Sequence, residues 1–391
     1  MTGLSAWRVA KHDLMALMGH VVIAPDKFKG TLSASEVAAH VAAGLAAAQP
    51  GSEAVAIPVA DGGDGTVDAA VTAGYRRVEL GVRGPVGRAV TAAFGLLDGT
   101  AVIEAAQACG LALLKGGELA PLTATTRGVG ELIITAARMG AKTVVVGLGG
   151  TATTDGGAGL AQALGARLLD TKGRELPGGG GALNSLDQLD LKKLRDLSGV
   201  EFLLASDVDN PLLGPAGAAA VYGPEKGAAP QDVTFLEAGL TKWADAAELA
   251  LGRTARDLPG AGAAGGLGFG AQLFLGARMR PGIELLLEMT SFAEHLDGAR
   301  LVITGEGSLD EQTLRGKAPV GVARAVAAHD PAVPVIAVAG VCTLSPEQLR
   351  RAGIAAAYAL ADIEPDVAKC RADPGPILER LAARIAGDWL G

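Results

Sequence analysis

Short runs of β-branched and apolar residues alternate along the chain with Ala-rich segments of helical periodicity. The first run predicts a strand at 21–24, and the first Ala-rich segment predicts a helix at 33–48. This helix has Ser33 as its N-cap and Glu36 three residues later, which is the spacing of a capping box. Strands that alternate with helices in this way are typical of α/β proteins with a parallel sheet.

The same two patterns predict the elements that follow, and Asp98-Gly99 between two apolar runs indicates a β-hairpin turn. Further strands are predicted at 53–58, 143–146, 201–205, 301–304, 333–338 and 355–359. Helices are predicted at 128–139, 232–249, 283–294 and 320–329. The Gly-rich stretch 177–181 is expected to be a flexible loop.

The strand–helix alternation of the first 60 residues resumes near residue 301, and the segment between has a different texture. A chain of 391 residues is long enough for two domains of ordinary size. We therefore predict a discontinuous Rossmann- or flavodoxin-like parallel-sheet domain formed by residues 19–60 and 292–391. A second α/β domain is predicted to be inserted at 61–291.

Composition supports packed domains and narrows the possible partners. Hydrophobic residues make up 49% of the chain and charged residues 19%, which argues against disorder. The net charge is −8 without a basic stripe, so nucleic-acid binding is not expected and an anionic substrate needs local cations. The 57 glycines indicate many tight turns and close approaches of the backbone to a ligand.

Cysteine, histidine and hydropathy patterns disfavour several other classes of protein. The three cysteines form no CxxC pair and the five histidines are scattered, which weakens zinc or Ser-His chemistry and fits a reduced cytoplasmic protein. No uninterrupted apolar run reaches about 18 residues, so no membrane span is expected. Residues 1–19 lack the apolar core of a signal peptide, and we expect a flexible extension or a start site further along.

Polar or Gly-rich loops follow five of the predicted strands. They occupy 25–30, 61–66, 147–157, 206–211 and 305–310. Ligands of open α/β sheets bind beyond the carboxyl ends of the strands, where such loops lie. Because these loops combine carboxylates, hydroxyls, glycines and a few cations, they predict a site for an oxygen-rich, phosphorylated ligand with a hard metal ion.

The loop at 149–157 is the best candidate for a phosphate cradle. Its glycines let backbone N–H groups approach phosphate oxygens, and Thr151, Thr153 and Thr154 add hydroxyl donors. A helix is expected to begin near Gly157 and to direct its positive end toward the phosphate.

Residues 147–152 also satisfy the GxGxxG/A pattern of dinucleotide-binding loops, with Asp170 about twenty residues further on. This match leaves a nicotinamide-dependent oxidoreductase acting on a small hydroxy acid as the alternative function. A second match at 260–265 does not follow a strand, and it is interpreted as a flexible loop or hinge. A Walker A motif and the protein-kinase signature are both absent from the sequence, so a nucleotide-using enzyme needs another scaffold here.

Charged residues in these loops are candidates for proton transfer and anion binding. Asp207 and Asp209 alternate on an extended segment, so only one of them is expected to face the site as general base or magnesium ligand. Without a histidine in the loops, an Asp must deprotonate a substrate hydroxyl. The candidate cations for phosphate or carboxylate are Lys27, Lys29, Arg315 and Lys317.

Seven motifs occur in order between about residues 21 and 340 and together resemble the type I glycerate kinase family. They are APDKFKGTLSASE (24–36), PVADGGDGT (58–66), GGTATTDGGAG (149–159), ASDVDNPLLGPAGA (205–218), GPEKGA (223–228), PGAGAAGGLG (259–268) and TGEGSLDEQTLRGKAP (304–319). The resemblance implies a cleft site between a domain formed by both chain ends and an inserted domain. It also implies ATP and magnesium as cosubstrates, D-glycerate as acceptor, and usually 2-phosphoglycerate as product. The oligomeric state stays open between monomer and homodimer.

Residues and resemblance together give a set of predicted site residues. Asp207, as the base for the C2 hydroxyl proton, and Lys29 are assigned to catalysis, and Asp207 and Asp155 are assigned to magnesium. The donor-binding set is Gly149, Gly150, Thr151, Thr153, Asp155, Gly156 and Gly157. The substrate-binding set is Asp26, Lys27, Asp61, Gly62, Gly63, Asp64, Asn210, Glu306, Asp310, Arg315 and Lys317.

The chain departs from the family pattern at a few of these positions. Lys27 stands where Ser is common and Asp64 where Glu is common. Thr151 and Thr154 replace Ser and Asn, and Ser308 replaces an Arg. The last change removes a cation, for which Lys27 can compensate. A catalytically silent sugar-acid sensor is a third possible function, but the intact Asp/Gly-rich loops argue against it.

Overall fold

The computed structural model describes residues 19–391. Residues 1–18 of the predicted N-terminal extension therefore lie outside the described residues. The described chain folds into two compact units. Unit 1 comprises residues 19–61 and 283–391, and unit 2 comprises residues 62–282. None of the helices within residues 19–391 has both the length and the apolar character needed to cross a membrane.

Strands and helices alternate over most of residues 19–391, so the chain is α/β as predicted. The strands are β1 His20–Pro25, β2 Ala54–Ala56, β3 Arg76–Arg83, β4 Ala89–Leu97, β5 Thr100–Glu104, β6 Thr143–Gly147, β7 Arg167–Leu169, β8 Gln188–Asp190, β9 Glu201–Ala205, β10 Arg278–Arg280, β11 Ala299–Leu309, β12 Val335–Cys342 and β13 Ala356–Ala359. The α-helices are α1 Ala34–Ala48, α2 Thr66–Thr72, α3 Ala105–Cys109, α4 Arg127–Arg138, α5 Ala158–Leu164, α6 Ala218–Tyr222, α7 Pro230–Leu251, α8 Ala263–Leu275, α9 Gly282–Met289, α10 Ala318–His329, α11 Pro346–Arg351, α12 Val367–Ala372 and α13 Pro374–Trp389.

Unit 1 contains a parallel five-stranded sheet with the strand order β13-β12-β11-β1-β2. Val22 lies beside Val302 in the register, and Ile303 lies beside Ile336. Helix α1 begins after Ser33 with the predicted capping box, and α1 and α13 cover apolar side chains of the sheet. Because β1 and β11 are parallel neighbours, the loops that follow them leave the same edge of the sheet.

Unit 2 contains a six-stranded sheet with the order β10-β9-β6-β5-β4-β3. Strands β5, β6, β9 and β10 are parallel, whereas β3 and β4 form an antiparallel extension. The predicted hairpin turn is confirmed, since Asp98 and Gly99 have φ values of 45° and 79° between β4 and β5. Positive φ at both positions is the geometry of a type I′ turn. Because β5, β6 and β9 are parallel neighbours, their carboxyl ends lie side by side.

Several predicted elements have different bounds in the structure, and two of the larger differences concern the segments predicted at 301–304 and 283–294. The strand predicted at 301–304 continues to Leu309, because its glycines still pair with β12 up to Cys342. The helix predicted at 283–294 ends at Met289, and Ser291 adopts a left-handed φ of 49° before a separate 3₁₀ turn. Residues 283–291 group with unit 1 rather than with the predicted insertion, and Ile283 lies against Gly321 there.

The Gly-rich segments predicted to be flexible are tightly packed instead. A Cβ on Gly180 would lie 2.0 Å from the carbonyl oxygen of Thr154, and one on Gly265 would lie 1.8 Å from that of Thr153. Ala264 and Gly265 both have positive φ, so the backbone turns sharply at the start of α8. This close packing argues against the interpretation of 177–181 as a flexible loop and of 260–265 as a flexible loop or hinge.

Candidate active site

Three predicted loops meet at the carboxyl edge of the unit 2 sheet. The Leu148 amide donates to the carbonyl of Ala205 at 3.3 Å, which joins the loop after β6 to the end of β9. The Gly149 amide donates to the carbonyl of Gly62 at 3.2 Å, which joins the loop at 62–65 to the loop after β6. The expectation that these loops lie close together is confirmed within unit 2.

Glycine is required where these loops cross. A Cβ on Gly147 would lie 2.4 Å from the carbonyl oxygen of Gly62, and one on Gly149 would lie 2.5 Å from the Cα of Gly63. Gly62 itself has a φ of 90°, and its Cβ would lie 2.5 Å from the carbonyl oxygen of Ala205. Any side chain at these positions would push the backbones apart. These glycines thus set the spacing of the loops.

Only the beginning of the predicted phosphate cradle reaches the surface. Gly149 is half-buried and Gly150 is exposed, whereas 151–157 is buried throughout. Gly150 lies beside Asp64, whose exposed carboxylate would be 2.5 Å from a Cβ placed on this glycine. The part of the cradle open to a ligand is therefore Gly149 and Gly150, with Asp64 next to them.

Asp155 acts as a buried brace and does not face solvent. Its carboxylate accepts hydrogen bonds from the Thr126 amide at 2.8 Å, the Thr126 hydroxyl at 3.0 Å, the Gly157 amide at 3.1 Å and the Gly159 amide at 3.2 Å. Burial raises the pKa of this fully buried carboxyl, while these donors oppose the rise. Because both oxygens are occupied by protein donors, its assignment to magnesium is not supported by this geometry.

The start of α5 is capped from within the protein as well. Asp155 accepts the amides of Gly157 and Gly159, and the Thr126 hydroxyl accepts the amide of Leu160 at 3.0 Å. The expected phosphate site at this helix N-terminus is therefore filled by side chains. Thr126 was missed by the sequence analysis, since a single Thr before a helix carries no distinctive signal.

The remaining cradle residues are also engaged inside unit 2. The Thr153 hydroxyl donates to the carbonyl of Ala264 at 3.4 Å, and the Gly156 amide donates to the carbonyl of Gly265 at 3.0 Å. A Cβ on Gly156 would lie 2.7 Å from the ring of Trp243. Thr153, Gly156 and Gly157 thus shape the loop from behind, and direct contact with phosphate does not fit their burial. Buried Thr151 is likewise held inside, where Lys226 reaches its hydroxyl.

Asp170 does not have the environment of a ribose-binding residue. Its carboxylate accepts the amides of Lys172 at 2.8 Å and Arg174 at 2.9 Å, which closes a turn after β7. Together with the buried cradle, this removes the structural support for a dinucleotide fingerprint at 147–152.

Asp207 lies on the loop after β9 with an exposed side chain. Its Oδ1 accepts the amide of Gly282 at 3.3 Å, and the Ser206 amide donates to the carbonyl of Arg280 at 3.2 Å. The first residue of α9 therefore steadies this carboxylate without burying it, and the end of β10 holds the backbone of the loop. Arg280 was missed because the three-residue strand that carries it was not predicted. Asp209 is exposed on the same loop.

Asn210 braces the same loop through both ends of its amide. Its Nδ2 donates to the carbonyl of Ala216 at 2.9 Å, and its Oδ1 accepts the hydroxyl of Tyr222 at 2.6 Å. The predicted role in substrate binding is therefore less suited to Asn210 than a role in holding the loop.

Two residues that the sequence analysis did not single out stabilise the unit 2 loops. Buried Glu104 at the end of β5 accepts the amides of Gly65 at 3.0 Å and Val67 at 2.7 Å, and so fixes the loop at 62–65. Buried Lys226 donates from Nζ to the carbonyl of Thr153 at 2.7 Å. Lys226 belongs to the GPEKGA motif, so its charge in a Gly-rich turn was the available signal.

Carboxylates and lysines gather at the carboxyl edge of the unit 1 sheet. Asp26 is 8% exposed, and its Oδ1 accepts the Lys27 amide at 2.7 Å while Lys27 Nζ lies 3.8 Å away. Burial raises the pKa of Asp26 to about 7; Lys27 opposes this rise, and the charges of Asp61 and Glu306 add to it. The carboxyl group of Asp26 therefore titrates near neutral pH.

Glu306 has a similar environment one strand away. The hydroxyl of Thr313 donates to it, and Lys317 Nζ lies 3.5 Å from Oε2. Burial raises the pKa of Glu306, while Thr313 and Lys317 oppose the rise. Predicted residues Asp26, Lys27, Asp61, Glu306 and Lys317 are thus brought together in one charged cluster.

The other predicted residues of unit 1 lie around this cluster in more exposed positions. Lys29 is exposed, and its amide would lie 3.3 Å from a Cβ on Gly307. Asp310 closes a turn by accepting the Gln312 amide at 2.8 Å. Asp310 and exposed Arg315 line a cavity of about 560 Å³.

Fold and site together define an α/β enzyme whose functional groups lie at the carboxyl ends of parallel strands. Residues 21–390 match the model of the glycerate kinase family, and the chain belongs to that family. The resemblance inferred from the seven motifs is therefore confirmed. The chain is a kinase that phosphorylates a hydroxyl group, and the oxidoreductase alternative is wrong.

Curated relatives and a solved structure agree with this assignment. The chain is 47% identical to a glycerate kinase of Bacillus subtilis over 87% of this chain and 90% of the relative. It is 44% identical to a glycerate 2-kinase of Escherichia coli K12 over 87% and 90% of the two chains. A crystal structure from Salmonella typhimurium LT2, described as a glycerate kinase 2, has a TM-score of 0.80 at 39% identity and covers 95% of this chain and 98% of that chain.

Proposed function

We propose that this protein transfers the γ-phosphoryl group of ATP to D-glycerate and that the product is 2-phosphoglycerate. Family membership supports glycerate as the acceptor and ATP as the donor. The name of the Escherichia coli relative, glycerate 2-kinase, supports the position of the phosphate. The units would then be two domains, one formed by both chain ends and one inserted.

The exposed carboxylate of Asp207 carries the mechanistic part of this proposal. It stands at the carboxyl end of β9, steadied by the Gly282 amide and open to solvent. In the proposed step, Asp207 accepts the proton of the C2 hydroxyl while the hydroxyl oxygen bonds to the γ-phosphorus and the bond to ADP breaks. An Asp in this role is common in phosphoryl transfer.

The donor would be held by backbone rather than by the buried threonines. Gly149 and Gly150 are the accessible part of the loop after β6, and exposed Asp64 lies beside Gly150. Magnesium, when bound, neutralises charge on the transferring phosphates. It usually keeps several waters and needs only one or two protein carboxylates. Asp64 fits as such a ligand, which leaves Asp207 to act as the base.

The lysines of unit 1 are proposed to bind the negative charge of the substrates. A chain with a net charge of −8 needs local cations for an anionic acid. Exposed Lys29 and half-buried Lys27 and Lys317 lie around Asp26 and Glu306 at the edge of the unit 1 sheet. Lys29 is proposed as a catalytic cation, as the sequence analysis predicts.

A coupled assay with D-glycerate would test this function directly. We expect ADP release with ATP, loss of turnover after chelation of magnesium, and no reaction with NAD(H). Phosphorus NMR of the product should show 2-phosphoglycerate. ADP release at the same rate without glycerate would contradict the function, and a 3-phosphoglycerate resonance would correct its regiochemistry.

A further inference from the structure

Lys226 is a charged side chain buried almost completely inside unit 2. It ends the 3₁₀ turn Pro224–Lys226 and is 2% exposed. Lysine is rarely buried to this degree without a partner, because removing an ammonium from water is costly unless it is hydrogen-bonded. The position therefore requires contacts that compensate for lost hydration.

The contacts of Lys226 lie on the loop that follows β6. Its Nζ donates to the carbonyl of Thr153 at 2.7 Å and lies 3.5 Å from the hydroxyl of Thr151. Thr151 directly follows Gly149 and Gly150, the part of the loop accessible to a ligand, and Thr153 lies two residues beyond Thr151. The ammonium thus holds the buried half of a segment whose exposed half is proposed to meet ATP.

A second set of contacts holds the same segment from the end of α3. The Ala152 amide donates to the carbonyl of Cys109 at 2.8 Å, and the Leu111 amide donates to the carbonyl of Gly150 at 3.0 Å. The backbone from Gly150 to Thr153 is thus fixed by a neighbouring strand-like segment and by Lys226. A shift of the ammonium would be transmitted to Gly150 within three residues.

We propose that Lys226 is a positioning residue for the phosphoryl donor. Its ammonium fixes the Thr153 carbonyl and the Thr151 hydroxyl, and so sets the backbone conformation in which Gly149 and Gly150 approach the phosphates of ATP. The inference rests on the proposed function. It predicts that Lys226 affects the affinity for ATP more than the affinity for glycerate.

Charge is part of this role, because an ammonium forms stronger hydrogen bonds than a neutral amine. Burial lowers the pKa of Lys226 to about 8, and Cys109, Glu225 and Asp155 oppose this fall. Burial raises the pKa of the Cys109 thiol to about 12, so that thiol stays neutral over the same pH range. As pH rises through 8, Lys226 loses its proton and its bond to Thr153 weakens.

Lys226→Met tests the inference with Lys242→Met as the matched control. Lys242 is an exposed lysine of unit 2 whose Nζ donates to the carbonyl of Asn184 at 3.1 Å. Loss of a charge-assisted hydrogen bond should raise the KM for ATP about tenfold or more. The KM for glycerate should change less than about twofold on the same scale. The control should leave both constants unchanged.

The outcomes separate this inference from the proposed function. Wild-type protein that does not phosphorylate glycerate would contradict the function itself. Active wild type together with a folded Lys226→Met variant of unchanged KM for ATP would overturn the positioning role, as would equal rises of both KM values.

The wild-type pH dependence covers the case in which Lys226→Met fails to melt cooperatively. We expect the KM for ATP to rise between pH 7.5 and 9 around the pKa of about 8, with the KM for glycerate steady. A KM for ATP that stays flat from pH 7.5 up to 10.5, the ordinary pKa of lysine, would overturn the inference without use of any variant.

Discussion

The carboxyl edge of the unit 1 sheet carries side-chain charge, whereas that of the unit 2 sheet is built mainly from backbone. In unit 1, Asp26 and Glu306 are buried acids whose pKa values are raised by burial, with Lys27 and Lys317 nearby. In unit 2, the backbones of neighbouring loops pass so close to one another at their glycines that a Cβ would not fit. The polar side chains at 151–155 in the loop after β6 are buried. The side chains of the loops therefore do different things at the two edges: they form a charged cluster in unit 1, and they support the backbone from inside in unit 2.

This difference shows that a loop rich in Gly, Thr and Asp can be a scaffold rather than a binding surface. Asp155 satisfies four donors of its own unit and Lys226 holds Thr153 from behind, while Asp64, Gly150 and Asp207 are left exposed. The buried residues hold the backbone of the loop and so help to fix the position of its exposed part. Unit 1 instead places ionisable groups close to one another, so the free energy of unfolding should depend on pH through these groups.

The largest expected effect comes from removing the exposed carboxylate of unit 2. Asp207→Asn should lower kcat by roughly 10²–10⁴, the usual contribution of general acid–base catalysis. The melting temperature should stay close to that of wild type, because the side chain is exposed and Asn can still accept the Gly282 amide. Asp209→Asn, on the same exposed loop, is the control and should retain most activity. Near wild-type turnover in Asp207→Asn would exclude it as the base.

Replacing the buried acid of unit 1 should stabilise the fold at neutral pH. The pKa of Asp26 is about 7 in the folded chain and about 4 when unfolded, so the stability that its protonated form contributes is fully present only below about pH 4. As pH rises from 4 to 7, the unfolded state ionises first and the free energy of unfolding falls, by up to about 4 kcal/mol. Asp26→Asn removes this fall because an amide side chain does not ionise, and Asn can still accept the Lys27 amide.

Thermal unfolding of both forms at several pH values measures the effect. The variant should melt above wild type at pH 8, and the gap should narrow steadily toward pH 5, while activity is reduced. A gap that is absent at pH 8, or that grows as pH falls, would mean that Asp26 is ionised in the folded chain over the whole range.

Replacing the buried carboxylate of Asp155 in unit 2 should destabilise the fold, in contrast to the replacement of Asp26. Asp155→Asn places an amide donor against the amides of Thr126 and Gly159, so buried donors lose their acceptor. We expect roughly 3 kcal/mol of lost stability, the cost of leaving such groups unsatisfied. Asp196→Asn, an exposed carboxylate that accepts the Ser198 amide, is the control. A variant with normal melting but altered magnesium dependence would restore Asp155 as a metal ligand.

Periodicity and turn chemistry were sufficient to predict most of the local structure. The capping box at Ser33 and the Asp98-Gly99 turn depend on interactions between neighbours in sequence, and strand β9 at 201–205 is marked by its own short apolar run. Such short-range signals are legible without a tertiary structure. The family could also be inferred from seven motifs in a fixed order, because ligand-binding loops retain specific residue types.

Burial was what the sequence could not supply. Asp155, Thr153 and Asn210 are residue types that often contact ligands, yet each is engaged by partners 2 to 111 positions away in the chain. The contacts of Glu104 and Arg280 became visible only when the strands brought their loops together, and so did the partners of Lys226, whose charge in the GPEKGA motif was its only signal in the sequence. The reason is physical: a loop's composition fixes which hydrogen bonds it can form, but only three-dimensional packing decides whether the partner is a ligand, water or another part of the chain.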